Sequence, residues 1–198
     1  AIGLGNGEAF YVDLEKFEGG GDQAVRPLQD ILTNPYFDRS THDAKRNAGA
    51  LLKLGLRPDA AKDDVMVAGY LLDPGRSSYG IDFLAQAYLD TDLAGSVPDG
   101  FDEASFRTAE TADLTARVAP LIKNKIRENG LERMYCEIEM PTIDVLLDIE
   151  LAGMKVDGDD LTRFSATISH DLAKLSKQIF AIAGREFNIG SPKQVGEV

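Results

Sequence analysis

The stretch Ser40-Thr41-His42-Asp43-Ala44-Lys45-Arg46-Asn47 joins two segments of different character. Residues 36–41, which reach into it, are predicted to form a short strand, and residues 48–56 after it have the apolar periodicity of a helix. A strand that passes directly into a helix is typical of α/β proteins, and functional side chains often lie at that corner. The stretch therefore predicts a mixed α/β (α+β) fold and marks the first candidate site.

The segments on either side of this corner are predicted to be a hairpin and a series of helices. Residues 1–4 and 8–12 flank Gly5-Asn6-Gly7, and Asn-Gly between two apolar runs is a strong hairpin signal. Asp22 is expected to cap a helix that extends to about residue 32. Further helices are predicted over residues 65–72, started by Asp64, and over residues 78–89 and 101–128.

The sequence pattern changes at Asn129-Gly130, where we place a domain boundary. Residues 1–128 are predicted to form the α/β domain, and residues 129–198 a helical segment. Two helices are expected to meet there at a kink or break, because Pro141 lacks the N–H that a continuous helix needs. The helices predicted in this segment cover residues 131–140, 141–151 and 161–183, the last capped by Asp159 or Asp160, with one more starting at Ser191-Pro192.

Composition narrows the class of protein. The chain has 198 residues, of which 43% are hydrophobic and 27% charged, as in ordinary soluble domains, and its net charge is −12. An acidic chain without a basic patch is not expected to bind nucleic acid tightly on its own. The single cysteine, Cys136, excludes an internal disulfide, and no apolar run reaches the ~20 residues of a membrane span. Both termini lie inside patterned segments, so we expect a longer parent protein.

Several spaced motifs resemble one family. The runs Glu137-Ile138-Glu139-Met140-Pro141 and Gly153-Met154-Lys155-Val156-Asp157 resemble the opening of the polymerase domain of the bacterial DNA polymerase I family (family A). The run Phe187-Asn188-Ile189-Gly190-Ser191-Pro192-Lys193-Gln194-Val195 is similar to the F-N-x-x-S-x-K-Q-L segment of the same thumb region. This resemblance implies a helical thumb base. The segments that resemble the preceding ribonuclease-H-like 3′–5′ exonuclease domain are residues 64–72, 79–89 and 108–115.

The resemblance also implies a chemistry for the first domain. Active members of the family hydrolyse phosphodiester bonds with two divalent metals held by four carboxylates. Hard cations bind anionic oxygens, and a metal pair stabilises the attacking and leaving oxygens. In these members a D-x-E pair lies on the first strand, and a second Asp closes an N-x-K-x-D run. The last Asp closes a Y-x-x-x-D motif, whose Tyr orients the attacking water.

Matched residue by residue, this sequence departs from those motifs. The N-x-K-x-D run falls on residues 43–47, which puts Asn47 in place of the metal-binding Asp. The Y-x-x-x-D motif falls on residues 107–111, which puts Arg107 in place of the Tyr and Thr111 in place of the last Asp. The hairpin resembles the strands that follow the D-x-E strand, so we expect that first strand to be absent. Two neutral residues and a cation predict a catalytically silent exonuclease domain.

Two other site hypotheses stay open. In the first, relocated carboxylates hold the metals, although Asp13-Leu14-Glu15 is more simply interpreted as a solvated strand end. In the second, basic side chains contact DNA phosphates, although a solvated helix face is the simpler interpretation. The relocated ligands would be Asp13, Glu15, Asp43 and Glu110, and the weak candidates for DNA contact are Lys45, Arg46, Lys123 and Lys125.

By resemblance, the parent enzyme is a DNA-directed DNA polymerase, a nucleotidyltransferase that uses Mg²⁺ in DNA replication and repair. The catalytic carboxylates of the polymerase are expected downstream, so this chain alone is predicted to need no cofactor and to have no activity. Its expected partners are DNA, through the parent enzyme, and the rest of the polymerase domain. We expect a monomer in the bacterial cytoplasm, associated with the nucleoid and without membrane contact. The alternatives are an active 3′–5′ exonuclease with relocated carboxylates and a non-enzymatic module that binds DNA or protein.

Overall fold

The computed structural model describes residues 1–13, 21–56, 58 and 61–197, which divide into two compact units, Ala1–Ala152 and Gly153–Val198. The predicted boundary between residues 128 and 129 lies inside the first unit and stays a prediction. The strands are β1 (Ile2–Gly3), β2 (Ala9–Phe10), β3 (Ser40–Thr41) and β4 (Asp63–Asp64). The helices are α1 (Gly21–Thr33), α2 (Ala44–Lys53), α3 (Val65–Leu72), α4 (Ile81–Leu89), α5 (Glu103–Glu128), α6 (Glu132–Met134), α7 (Met140–Ala152), α8 (Gly158–Ala183) and α9 (Pro192–Gly196).

The predicted hairpin is present, with β1 and β2 antiparallel. Its turn is longer than a two-residue Asn-Gly turn and has positive φ at Gly5 (74°) and Gly7 (92°), which glycine adopts without strain. The Gly7 N–H donates to Asp113 Oδ1 on α5 at 3.0 Å. A Cβ at Gly3 would lie within 2.5 Å of three backbone atoms of that helix. The hairpin therefore lies directly against the α5 backbone.

Helix α2 begins earlier than predicted. The predicted strand over residues 36–41 is reduced to Ser40–Thr41, and the helix starts at Ala44, four residues before the predicted start. The reason is Asp43, which has a left-handed backbone (φ 65°) and accepts a helical N–H, so that it caps α2. Asn47 therefore lies in the first turns of the helix, and not in a loop before it.

A single buried carboxylate holds the starts of two helices. Asp64, which is 1% exposed, ends β4, and β4 pairs in parallel with β3. Its Oδ1 accepts the N–H groups of Met66 and Val67 and so caps α3, as the sequence predicts. The same carboxylate accepts the N–H groups of Asp43 (3.2 Å) and Ala44 (2.6 Å) at the start of α2. Both helices are thereby bonded to one side chain.

The core of the first unit lies where α3 and α4 pack on α5. Tyr135 borders this core: its hydroxyl accepts the Asp64 N–H at 2.7 Å and donates to the Asp64 carbonyl oxygen at 3.2 Å. Burial raises the pKa of the Tyr135 hydroxyl, so the phenol stays neutral and keeps the proton that it donates. The buried apolar members are Val65, Ala68, Ile81, Leu84, Ala85, Leu114, Val118, Ala119, Ile122, Ile126 and Tyr135.

A π-helical turn lies directly before Pro141, where the sequence predicts a kink or a break. This turn, Tyr135–Glu139, runs directly into α7, and the Met140 N–H bonds to the Tyr135 carbonyl oxygen, one residue further back than in an α-helix. The wider turn carries the chain past the proline, whose missing N–H interrupts the usual bonding pattern. A break at Pro141 was therefore a wrong alternative, because α6, the π-turn and α7 follow one another without one.

Three other helix starts differ slightly from prediction. Helix α1 begins at Gly21, so Asp22 lies inside it and does not precede it. Helix α4 begins at Ile81, after Gly80 as N-cap. Helix α5 begins at Glu103, because Asp102 accepts the Ser105 N–H and caps it. These shifts leave the order of elements unchanged.

The second unit contains α8 and α9. Helix α8 starts at Gly158, since Asp157 caps it by accepting two helical N–H groups, and neither of the two predicted aspartates does. It ends at Gly184 with φ 70°, as the sequence indicates. Ser191 caps α9, also as predicted. In the described parts of both units, no helix is long and apolar enough to cross a membrane.

Candidate functional site

An open groove with a volume of about 1820 Å³ runs across the first unit. Residues of β1, the β3–α2 corner, α5 and α7 line it. Three positions that the resemblance assigns to one metal site, Asn47, Arg107 and Thr111, lie along this groove. The first comes from the corner and the other two come from α5. The fold therefore gathers positions that are distant in the sequence.

Asn47 makes hydrogen bonds through its amide nitrogen. Its Nδ2 donates to Thr41 Oγ1 at 2.7 Å and to the His42 carbonyl oxygen at 2.9 Å. A carbonyl oxygen can only accept, so an ionised carboxylate in the same place would have no proton to offer it. The amide nitrogen therefore bonds the first turns of α2 to the segment that precedes the helix.

Arg107 bonds a loop to α5. Its Nη1 donates to the Ala94 carbonyl oxygen at 2.7 Å and to Glu110 Oε2 at 2.8 Å. Glu110 in turn accepts the Ala94 N–H through Oε1 at 2.6 Å. Both backbone groups of Ala94 are therefore bonded to one ion pair. Thr111, one helical turn after Arg107, is half-buried and brings no charge to the groove.

The residues considered as relocated metal ligands lie in different surroundings. Asp43 lies in the groove and caps α2, whereas both carboxylate oxygens of Glu110 are engaged with the loop and with Arg107. Asp13 is the last described residue after the hairpin, and Glu15 lies outside the described residues. Across residues 1–13, 21–56, 58 and 61–197, no three histidine, cysteine, aspartate or glutamate side chains are grouped to hold a metal. The residues described there do not fit the metal pair that the resemblance implies.

Three of the four candidate DNA contacts form ion pairs with acidic side chains. A paired lysine offers less net charge to a phosphate, because its positive charge is already compensated. The bond to its partner raises the pKa of Lys125. Arg46, the fourth candidate, is exposed and lines the groove. The pairs are Lys45 with Glu150 (2.5 Å), Lys123 with Asp63 (2.8 Å) and Lys125 with Glu128 (2.7 Å).

The sequence does not reveal the roles of Asp63 and Glu150, because their partners are distant in the chain. Asp63 is 7% exposed and pairs with Lys123 of α5. Glu150 extends from α7 to Lys45 on α2. One signal in the sequence points to Asp63: two aspartates, Asp63 and Asp64, precede α3, although a single aspartate suffices to cap a helix.

Replacing Glu110 by alanine is expected to release the loop around Ala94 and to lower the free energy of unfolding by about 2 kcal/mol. The variant removes the acceptor of the Ala94 N–H and leaves Arg107 without its counter-ion. Urea unfolding followed by circular dichroism measures the loss, and limited proteolysis reports whether the loop becomes accessible. Glu103→Ala, an exposed position on the same helix, is the control. Equal cleavage of both variants would contradict the expectation.

Comparisons with known proteins agree on one family. A family model for the ribonuclease H-like domain of DNA polymerase I matches residues 1–95. DNA polymerase I of Rhizobium leguminosarum is 35% identical over 149 residues, covering 69% of this chain and 15% of that protein. DNA polymerase I of Pseudomonas aeruginosa is 31% identical over 216 residues, covering 97% of this chain and 23% of that protein. The chain belongs to the bacterial DNA polymerase I family.

Solved structures support the fold of this DNA polymerase I family member. The POL domain of Pol1 from M. smegmatis, in complex with DNA primer-template and dNTP, superposes with a TM-score of 0.72 at 23% identity, covering 93% of this chain and 30% of that one. Brucella melitensis NrnC bound to pGG superposes with a TM-score of 0.54 at 14% identity, covering 66% and 67%. The predicted combination of a ribonuclease-H-like fold and a helical polymerase segment is confirmed.

The chain spans only part of its DNA polymerase I relatives. It covers 15% of the R. leguminosarum protein and 23% of the P. aeruginosa protein. The family model covers the hairpin and the corner, but it ends before α5. The assignments of Asn47, Arg107 and Thr111 to motif positions therefore stay predictions, although all three lie in one groove.

Proposed function

We propose that this chain is a catalytically silent exonuclease-like domain, with its adjoining helices, of a DNA-directed DNA polymerase that acts in replication and repair. The DNA polymerase I relatives support this role for the parent protein. In this proposal the polymerase reaction and its Mg²⁺ belong to other residues of the parent. The chain reaches DNA through the parent enzyme, which works as a monomer in the bacterial cytoplasm.

The single observation that carries the proposed silence is the bonding of Asn47. Its side chain is a neutral amide whose nitrogen is bonded to two acceptors, so position 47 offers a hard cation no anionic oxygen. Arg107 lines the same groove, is paired with Glu110, and stands where the resemblance expects the tyrosine that orients the attacking water. In this proposal, positions 47 and 111 therefore offer no anionic oxygen where the resemblance places two metal-binding aspartates.

The role left for such a domain is structural. Helix α2 of the exonuclease-like domain packs on α7, which by sequence belongs to the polymerase segment. The packing is close, because a Cβ at Gly49 would lie 3.5 Å from Leu147 Cδ1. The Lys45–Glu150 ion pair spans the same two helices. The domain thus supports the first helices of the polymerase segment.

Incubation with 5′-labelled single-stranded DNA tests the proposed silence. With Mg²⁺ or Mn²⁺ present, the chain is expected to leave the DNA at full length, as in reactions that contain EDTA. Shortening from the 3′ end that requires metal would overturn the proposal. An active DNA polymerase I with a working proofreading site, assayed on the same DNA, is the positive control.

A variant of Asp43 helps to distinguish activity of this chain from activity of a contaminating nuclease. If shortening appears, Asp43→Ala is purified in the same way and compared, after circular dichroism has established that it is folded. Loss of shortening in this variant would support the relocated-ligand hypothesis, because Asp43 is the candidate that lines the groove. Shortening that persists in Asp43→Ala would exclude that hypothesis, and equal shortening by a mock preparation from cells that lack the chain would identify a co-purifying nuclease.

Direct DNA binding is tested separately by fluorescence anisotropy at two salt concentrations. The proposal expects weak binding, because the chain is acidic and three candidate lysines are already paired. Tight binding at low salt that falls steeply as salt increases would indicate a DNA-binding module instead. Arg46→Gln, which removes the exposed cation in the groove, would then be expected to weaken it.

A further inference from the structure

We infer that Asn47 and Arg107 are structural latches, so that restoring the motif residues there would weaken the fold. The inference rests on the proposed loss of function and concerns what has replaced it. A position that has only lost a catalytic role accepts many residues. By a latch we mean a side chain that donates a hydrogen bond to a neighbouring segment and so holds that segment to its helix. Such a position requires a residue that can donate the same bond.

The two residues share one kind of bond. Each donates a hydrogen bond to the carbonyl oxygen of a residue outside the helices: Asn47 to His42, before α2, and Arg107 to Ala94, between α4 and α5. Each therefore fastens an irregular segment to the helix that carries it. Thr111, the third motif position, has neither a charge nor an amide nitrogen, and we do not assign it a latch role.

The motif residues could not make these bonds. An aspartate at position 47 would direct an ionised carboxylate at the His42 carbonyl oxygen, which also bears a partial negative charge. It would also lie close to Asp43, which caps the same helix. A tyrosine at position 107 would lack the positive charge that pairs with Glu110, whose side chain is only 14% exposed. Both restorations therefore conflict with bonds that now exist.

Asn47→Asp is the first test, and its expected result at pH 7 is a melting temperature lowered by roughly 2–4 °C. The control is Arg46→Gln, which makes the same change in charge at the preceding position, exposed like position 47, and leaves both Asn47 bonds intact. The deficit of Asn47→Asp relative to wild type is expected to shrink as pH falls through the pKa of the new carboxyl. Once protonated, that group can donate to His42 again.

Arg107→Tyr is the second test, with an expected lowering of roughly 3–6 °C, because it removes both a charge-assisted bond and a counter-ion. Arg107→Lys keeps the charge and a donor and is expected to retain most of the stability. If Asn47→Asp and Arg107→Tyr both melt within about 1 °C of wild type, the latch inference is overturned. Nuclease activity in the wild-type chain would overturn the proposed silence instead, and it would leave these melting temperatures unchanged.

Discussion

Replacing Asp64 by alanine is expected to lower the free energy of unfolding of the first unit by about 3–4 kcal/mol. The carboxylate accepts N–H groups at the start of α2 and of α3, and Asp64 is 1% exposed. Without it these N–H groups lose an acceptor that lies in a buried side chain. A helix cap alone contributes about 1 kcal/mol, and bonds to two helix starts from one buried carboxylate account for the larger value. Urea unfolding and hydrogen exchange at Ala44 and Met66 measure the effect.

The matched control for this prediction is Asp102→Ala. Asp102 also caps a helix of the first unit, where it accepts the Ser105 N–H at the start of α5, but it is exposed. Its loss is expected to cost about 1 kcal/mol and to increase exchange only at the start of α5. Asp64→Asn retains one acceptor oxygen and is expected to fall between the two. Equal losses of unfolding free energy in Asp64→Ala and Asp102→Ala would show that Asp64 stabilises only one of the two helices α2 and α3.

Gly3→Ala is expected to separate the hairpin from α5 at a cost of about 2–3 kcal/mol. The new Cβ would lie 2.3 Å from the Ala112 carbonyl oxygen and 2.5 Å from the Asp113 nitrogen. Both belong to the backbone of a long helix, which cannot yield as a flexible side chain can. The hairpin must therefore move, and the Gly7 bond to Asp113 Oδ1 would be lost with it. Hydrogen exchange at the hairpin amides, together with urea unfolding, measures the result.

Gly95→Ala provides the corresponding control, because a Cβ built there meets no atom within 4 Å. It is expected to leave stability within about 0.5 kcal/mol of wild type. A Gly3→Ala variant with the same stability and unchanged exchange at Gly7 would refute the close approach of hairpin and helix.

The hairpin and the order of the main helices follow from local signals, but β4, the π-turn and the starts of several helices do not. Apolar periodicity at the corner begins at residue 48, whereas the helix begins at Ala44 because Asp43 caps it. The same occurs at α8, where Asp157 acts two to three residues before the expected caps. Where several aspartates precede an apolar run, spacing alone does not select the one whose backbone can cap.

The site is harder to predict, because its bonds connect residues that are far apart. The family resemblance identifies Asn47 and Arg107 as departures, yet it says nothing about their new acceptors. Those acceptors, His42 and Ala94, are backbone oxygens whose positions depend on the fold. The second role of Asp64 likewise depends on β3 lying beside β4. The π-turn before Pro141 depends on how the chain around Tyr135 packs.

The packing of α2 on α7 has a consequence for any attempt to separate the two predicted domains. The predicted boundary after residue 128 crosses the first unit, since Tyr135 and Leu147 lie beyond it and are buried there. Removing residues 1–128 would therefore expose apolar side chains on the helices that follow. The proposed structural role predicts that those helices lose solubility or order when they are produced without the preceding residues.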